Sequence, residues 1–154
     1  MKEALDNAMQ ELKRVDHLFY VSLKYTRTVD MMRHMIERLI NAFSFGVDSL
    51  FQYVKENKKV SDIPSNPVMR AKLIAKIFTD ESLPASMGLY LKLRQVIRAQ
   101  YSKREEFRRH VTMTCVLDGG EIVEVNIDVL KGYYDTTRNF INYVGRIIEG
   151  KEEE

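Results

Sequence analysis

The chain has a single cysteine, Cys115, so an internal disulfide framework is excluded, and the scarcity of thiols fits a reducing cytosol. No run approaches the roughly 20 apolar residues that a bilayer-spanning helix needs. The opening stretch, MKEALDNAMQELKR, has charges every few positions around no apolar core, which is not the pattern of a signal peptide. The expectation is a cytoplasmic protein with no membrane partner. Glycine-rich phosphate loops are missing too, because the one Gly-Gly pair, Gly119-Gly120, sits between two alternating segments. Di-iron bundles carry Glu-x-x-His pairs, but Arg14, Met31 and Phe107 stand three residues before His17, His34 and His110. One cysteine and three scattered histidines offer no zinc ligand set. No metal and no cofactor are therefore expected.

What is present suits one globular domain. The 154 residues are 45% apolar and carry a formal net charge of +2, so any argument for an anionic partner must rest on local clustering. Leu5, Met9, Leu12, Val15, Phe19 and Leu23 recur at spacings of three and four, which predicts a first helix from about Glu3 to Lys24. Tyr25-Thr26-Arg27-Thr28 reads as a short joint with capping residues. A second helix to about Asn57 buries Met32, Ile36, Leu39, Ile40, Phe43, Val47, Leu50, Phe51 and Val54. A short joint makes the two antiparallel neighbours. Gly46 costs this helix about 1 kcal/mol relative to alanine, which points to a close approach by another helix. Met31, Met35 and Phe45 are further core or seam residues.

Lys58 to Asn66 reads as a loop, and Asn66-Pro67 as the start of a third helix reaching about Phe78. A reset at Thr79-Asp80-Glu81-Ser82 leads to a fourth helix opening at Pro84. Val111, Met113 and Cys115 alternate, as do Val123, Val125 and Ile127, across Asp118-Gly119-Gly120: a β-hairpin at about 111–127. Cys115 reads as a small buried hydrophobe on that hairpin. A last helix, with Val129, Tyr133, Phe140, Ile141, Val144 and Ile148 inward, runs to about Glu149 and stops at Gly150, and Tyr134 is read with its core. Residues 151–154 are a charged, solvated tail. The predicted fold is thus mainly α: a single-domain, up-and-down bundle of four or five helices over 1–150, with one β-hairpin inserted before the last helix.

The abrupt change of period lies between Leu89 and Ile127. The fourth helix is expected to continue to His110, carrying Lys92, Arg94, Arg98, Lys103, Arg104, Arg108 and Arg109 against Glu105 and Glu106. At about 100° per residue, Arg94, Arg98, Arg108 and Arg109 would share roughly one third of the helix circumference. Leu89, Leu93, Val96 and Phe107 would pack on another side. Tyr90 and Tyr101 interleave the cations, and aromatic rings so placed stack on unpaired bases. The plainer reading is a solvated basic face, with His110 favoured by the helix C-terminal dipole. His17 and His34 are read as structural.

Arginine and histidine together suffice for metal-free ribonuclease chemistry. A histidine exchanges the proton of a ribose 2′-hydroxyl, and an arginine fork neutralises charge on the phosphate. Arg27 with His34 and Arg104 with His110 are the two pairs available. Arg104-Glu-Glu-Phe-Arg-Arg-His110, with five residues intervening late in the helix order, resembles the signature of HEPN domains, as do the long paired helices at the start. These are small α-helical bundles, many of them metal-independent endoribonucleases of toxin–antitoxin and defence systems. The resemblance implies that Arg104 binds the scissile phosphate and His110 serves as acid or base. It also implies a homodimer with the motifs facing each other. Arg94, Arg98, Tyr101, Arg108 and Arg109 would then hold the RNA. The alternative is a non-catalytic, dimeric HEPN-like module that holds another protein or RNA on the basic face or the hairpin edge. Glu105, an acid where cleaving members more often carry Asn, Asp or His, favours that alternative.

Overall fold

A computed structural model describes residues 1–57 and 62–150. It is mainly helical, with a small antiparallel sheet before the last helix, as the sequence predicts. The expected loop at Lys58–Asn66 therefore lies partly, and the tail at 151–154 wholly, outside the described residues. Helix α1 (Lys2–His17) passes through a π-helical turn (Leu18–Ser22) into a single α-turn, α2 (Leu23–Tyr25). The wide turn leaves Leu18 and Phe19 half-buried and turns Tyr20 and Val21 outward, before Leu23 returns to the core. Met9 departs from the expected stripe and is largely exposed, because Ala8 and Glu11 take the buried positions beside it. The Glu11 carboxylate is satisfied there by Arg14 at 3.0 Å and Arg38 at 3.3 Å.

Helix α3 (Val29–Glu56) has 28 residues, which at 1.5 Å per residue is roughly 42 Å. It packs against α1, α4 (Pro67–Ile77), α5 (Leu83–Arg98) and α6 (Ile127–Ile148). The Thr28 side chain caps it by accepting from the Met31 N–H at 3.2 Å, and its predicted apolar side is buried apart from the half-buried Ile40. Phe43 joins three helices, its ring centroid 5.5 Å from Tyr90 on α5 and 5.4 Å from Phe140 on α6. Beside it, a Cβ on Gly46 would come within 2.7 Å of both Phe140 and Ile141. This is the close approach that the glycine predicts. The Asn66 side chain caps α4 by accepting from Val68 N–H at 2.9 Å and Met69 N–H at 3.2 Å, and Pro67 follows at the first helical position.

The main correction concerns the fourth helix. It ends at Arg98 instead of continuing to His110, and the chain enters strand β1 (Gln100–Arg104). This strand pairs antiparallel with β2 (Thr112–Val116), which pairs with β3 (Ile122–Val125), giving the order β1-β2-β3. The predicted hairpin is present with a third strand along one edge. Charge spacing in 99–110 imitates a helix face, but backbone pairing to the open edge of β2 outweighs a helix tail with no apolar stripe. Tyr101 and Lys103 alternate with Gln100, Ser102 and Arg104, as a strand requires. Phe107, expected on the packed side of the helix, is 72% exposed.

Gly119 and Gly120 close β2 onto β3 with φ of 91° and 90°, conformations that L side chains rarely adopt. Met113, Cys115, Val123 and Val125 are buried on the inner face of the sheet. Helix α6 is capped by the Asn126 side chain, which accepts from Val129 N–H at 2.8 Å, and Gly150 follows its end at φ 74°. Ile127 thus belongs to this helix and not to the hairpin. Among the described residues no helix is long and apolar enough to cross a membrane.

Two outcomes test this packing. Gly46→Ala should destabilise the fold by about 1–3 kcal/mol in urea titration, because overpacking outweighs the roughly 1 kcal/mol gain in helix propensity. Adding Ile141→Val, which removes one of the two clashing atoms, should recover part of the loss. Burial pushes the Cys115 thiol up from its ordinary range despite the opposing Arg33 charge. Its reaction with an aromatic disulfide reagent at pH 8 should be slow in buffer and complete within the mixing period in denaturant.

Candidate functional site

The seven residues between β1 and β2, 105–111, are folded back onto the start of α3. The Glu106 carboxylate accepts from the Val29 N–H at 2.8 Å, placing an acid at the positive end of the longest helix. The Phe107 N–H donates to the Arg27 carbonyl at 2.7 Å. Lys103 Nζ lies 3.1 Å from Asp30 and 3.8 Å from Glu106, and the hydrogen bond to Asp30 holds its ammonium pKa above the ordinary value. Arg33 completes the clamp: it donates to the Ile97 carbonyl at 3.0 Å and stacks 4.1 Å from the Tyr101 ring centre. Tyr101 is therefore half of a cation–π pair.

Fitting this path requires left-handed backbone at Glu105 (φ 56°) and Phe107 (φ 63°), which costs of order 1–3 kcal/mol at each non-glycine residue. Glu106 between them provides an offsetting charged hydrogen bond. The outer side of the same turn presents Phe107, Arg108, Arg109 and His110 to solvent. The Arg108 N–H closes onto the Glu105 carbonyl at 3.1 Å.

The expected basic face is divided by this geometry. Arg94 lies 5.9 Å from the Tyr90 ring centre, beside a separate cavity shared with Asp48 and Arg70. Arg98 Nε donates to the Arg94 carbonyl at 3.1 Å at the end of α5. Arg104 reaches across the central strand, its Nη2 3.0 Å from Glu124 Oε2 on β3. Arg109 and His110, by contrast, line a cleft of about 280 Å³ together with Arg27, Thr112, Asp128 and Lys131. Four cationic or protonatable side chains meet one carboxylate there. Arg104 is not among the lining residues.

His110 is thus brought beside Arg27 and Arg109, not placed at a helix C-terminus. His34, the sequence neighbour of Arg27 in the other pair, lines a different cleft with Lys13, Arg14, His17 and Arg38. Sequence reading missed Lys131, which enters from the first turns of α6. It gave Arg27 no role with His110, because the bonds that join those segments, from Phe107 N–H to the Arg27 carbonyl and from Val29 N–H to Glu106, are tertiary. Among the described residues no three His, Cys, Asp or Glu side chains converge as metal ligands. The His110 ring has no hydrogen-bond partner among the described residues; the residue's one bond uses its carbonyl, which accepts from Thr112 Oγ1 at 2.8 Å. Compared with protein-family models, curated proteins and solved structures, the chain matches none.

The clamp predicts a graded response. Glu106→Ala should lower stability by about 1–2 kcal/mol through loss of a charged helix cap. Glu106→Gln, which keeps an acceptor without the charge, should lose roughly half of that. Urea unfolding gives both values, and hydrogen exchange at Val29 N–H should accelerate more in the alanine variant.

Proposed function

We propose that this chain is an RNA-binding module that holds a backbone phosphate in the cleft of Arg27, Arg109, His110 and Lys131. The observation that carries the reading is the meeting of these four side chains, against the single carboxylate of Asp128, in one open cavity. Arginine forks suit phosphate oxygens, and lysine supplies a point charge beside them. Phe107, exposed in the same turn, adds an aromatic face on which an unpaired base can stack. In the HEPN-like reading Arg104 would bind the phosphate. Its ion pair with Glu124 favours giving that contact to Arg27 and Arg109.

Holding is favoured over cutting. A general base works best when a further group fixes its ring, and the His110 imidazole has no such partner among the described residues. Cleavage would require His110 to take the 2′-hydroxyl proton while the 2′-oxygen attacks phosphorus. The P–O5′ bond would then break, with the leaving oxygen protonated by water, to give a 2′,3′-cyclic phosphate and a 5′-hydroxyl. A homodimer, implied by the HEPN resemblance, is not needed to bring Arg27, Arg109 and Lys131 together with His110.

Fluorescence polarisation with labelled single-stranded RNA at low salt tests the reading. Arg109→Ala and Lys131→Ala should each weaken binding several-fold and reduce the logarithmic salt slope by about one. Arg104→Ala should change affinity less than twofold. RNA incubated with the wild type in EDTA should stay intact. Cutting that His110→Ala abolishes would replace holding by catalysis, and absence of binding by the wild type would reject both.

A further inference from the structure

A second cavity adjoins the first. It encloses about 340 Å³ between the π-helical turn and α6, and Lys131 lines both. Its walls are aromatic: Phe19 meets Tyr134 edge-on at 5.8 Å between ring centres, and Tyr20 stands at the rim, 75% exposed. The π-helical turn causes this arrangement. One extra residue in the turn tucks Phe19 against α6 while swinging Tyr20 out, so two successive aromatics serve the same opening. Such turns are rare and are frequently found at functional sites.

The polar side of the cavity has Asp16 and Asp135. Arg138 lies 3.4 Å from Asp135, whereas Asp16 has no ion-pair or hydrogen-bond partner among the described residues. A carboxylate accepts hydrogen bonds but cannot donate them, so it selects donors. Aromatic faces with a free carboxylate fit a nucleobase bearing an exocyclic amino group. Adenine, cytosine and guanine carry one; uracil does not.

We propose that this cavity is a base pocket in which Phe19, Tyr20 and Tyr134 stack a nucleobase and Asp16 accepts from its amino group, with Lys131 on the phosphate leading to the neighbouring cleft. The inference rests on the RNA-binding reading and adds base selection to it. Burial, reinforced by the nearby Asp16 charge, raises the Tyr134 phenol above its ordinary range.

The experiment compares four labelled single-stranded probes of equal length with the full chain: oligo(A), oligo(C), oligo(U) and an abasic ribose-phosphate oligomer. Oligo(A) and oligo(C) should bind roughly tenfold tighter than the abasic probe, in the range that base–aromatic stacking supplies. Oligo(U) should fall between. Tyr20→Ala, at a position too exposed to matter for folding, should bring the three base-bearing probes to the abasic level and leave abasic binding unchanged. Asp16→Ala should remove the advantage of A and C over U. Arg109→Ala should weaken all four alike. Equal binding of base-bearing and abasic probes would overturn the base pocket while leaving the phosphate cleft intact. Equal binding of U with A and C would overturn the role of Asp16, and no binding of any probe would reject the cleft and the pocket together.

Discussion

At Gly46 the backbone of α3 lies so close to α6 that one methyl group would enter the space of Phe140 and Ile141. That contact fixes how the longest helix meets the last one, and much else follows from it. Phe43, one turn earlier, can then touch Phe140 on α6 and Tyr90 on α5 together, so the positions of three helices are set by one ring. Cores packed at native density tolerate little adjustment at such a point. With α6 held there, its N-terminal half is delivered beside the end of α1 and the sheet, where Lys131 and Tyr134 line the two cavities.

The other end of α3 is secured differently. Its first N–H groups have no partners within the helix, and they are satisfied by Thr28 nearby and by Glu106 from far along the chain. The turn that brings Glu106 there separates two jobs by direction. Glu106 and the Phe107 N–H point toward α3 and anchor the segment. The Phe107 ring and the side chains of Arg108, Arg109 and His110 point away and are free to meet a ligand. Strain at Glu105 and Phe107 is the cost of this reversal, offset by the bonds it allows. A turn so anchored has its backbone held by hydrogen bonds at both Glu106 and Phe107.

Helices α1, α3, α4 and α6 were legible because their apolar residues repeat with the helical period and their caps stand in the expected places: Thr28, Asn66 with Pro67, and Gly150. The hairpin was legible from its alternation and its Gly-Gly turn. The segment 99–110 was not, since lysine and arginine suit helix and strand surfaces alike and only pairing with β2 decides between them. Its period-two alternation is present at Gln100–Arg104, but with both faces polar it carries no burial signal. The π-helical turn was equally hidden: Val15, Phe19 and Leu23 keep a spacing of four, which reads as an unbroken α-helix. Of the candidate site, His110 and Arg109 were found from charge and chemistry. Arg27 was singled out only beside His34, and Lys131 not at all, because both reach the cleft through tertiary contacts that no local pattern encodes.

That division has an electrostatic consequence. A net charge of +2 gives the molecule little long-range attraction for a polyanion, and acids such as Glu124 and Asp30 already neutralise Arg104 and Lys103. A uniform basic helix would have attracted any polyanion without regard to its form. Breaking that stretch at Arg98 disperses its cations, and of them only Arg109 joins the cleft where Arg27, His110 and Lys131 meet among the described residues. At physiological salt the field of such a cluster is screened within roughly 8 Å. In the proposed reading, discrimination then depends on whether the ligand also fits the adjoining aromatic cavity, because charge alone holds it in one place and not along a face.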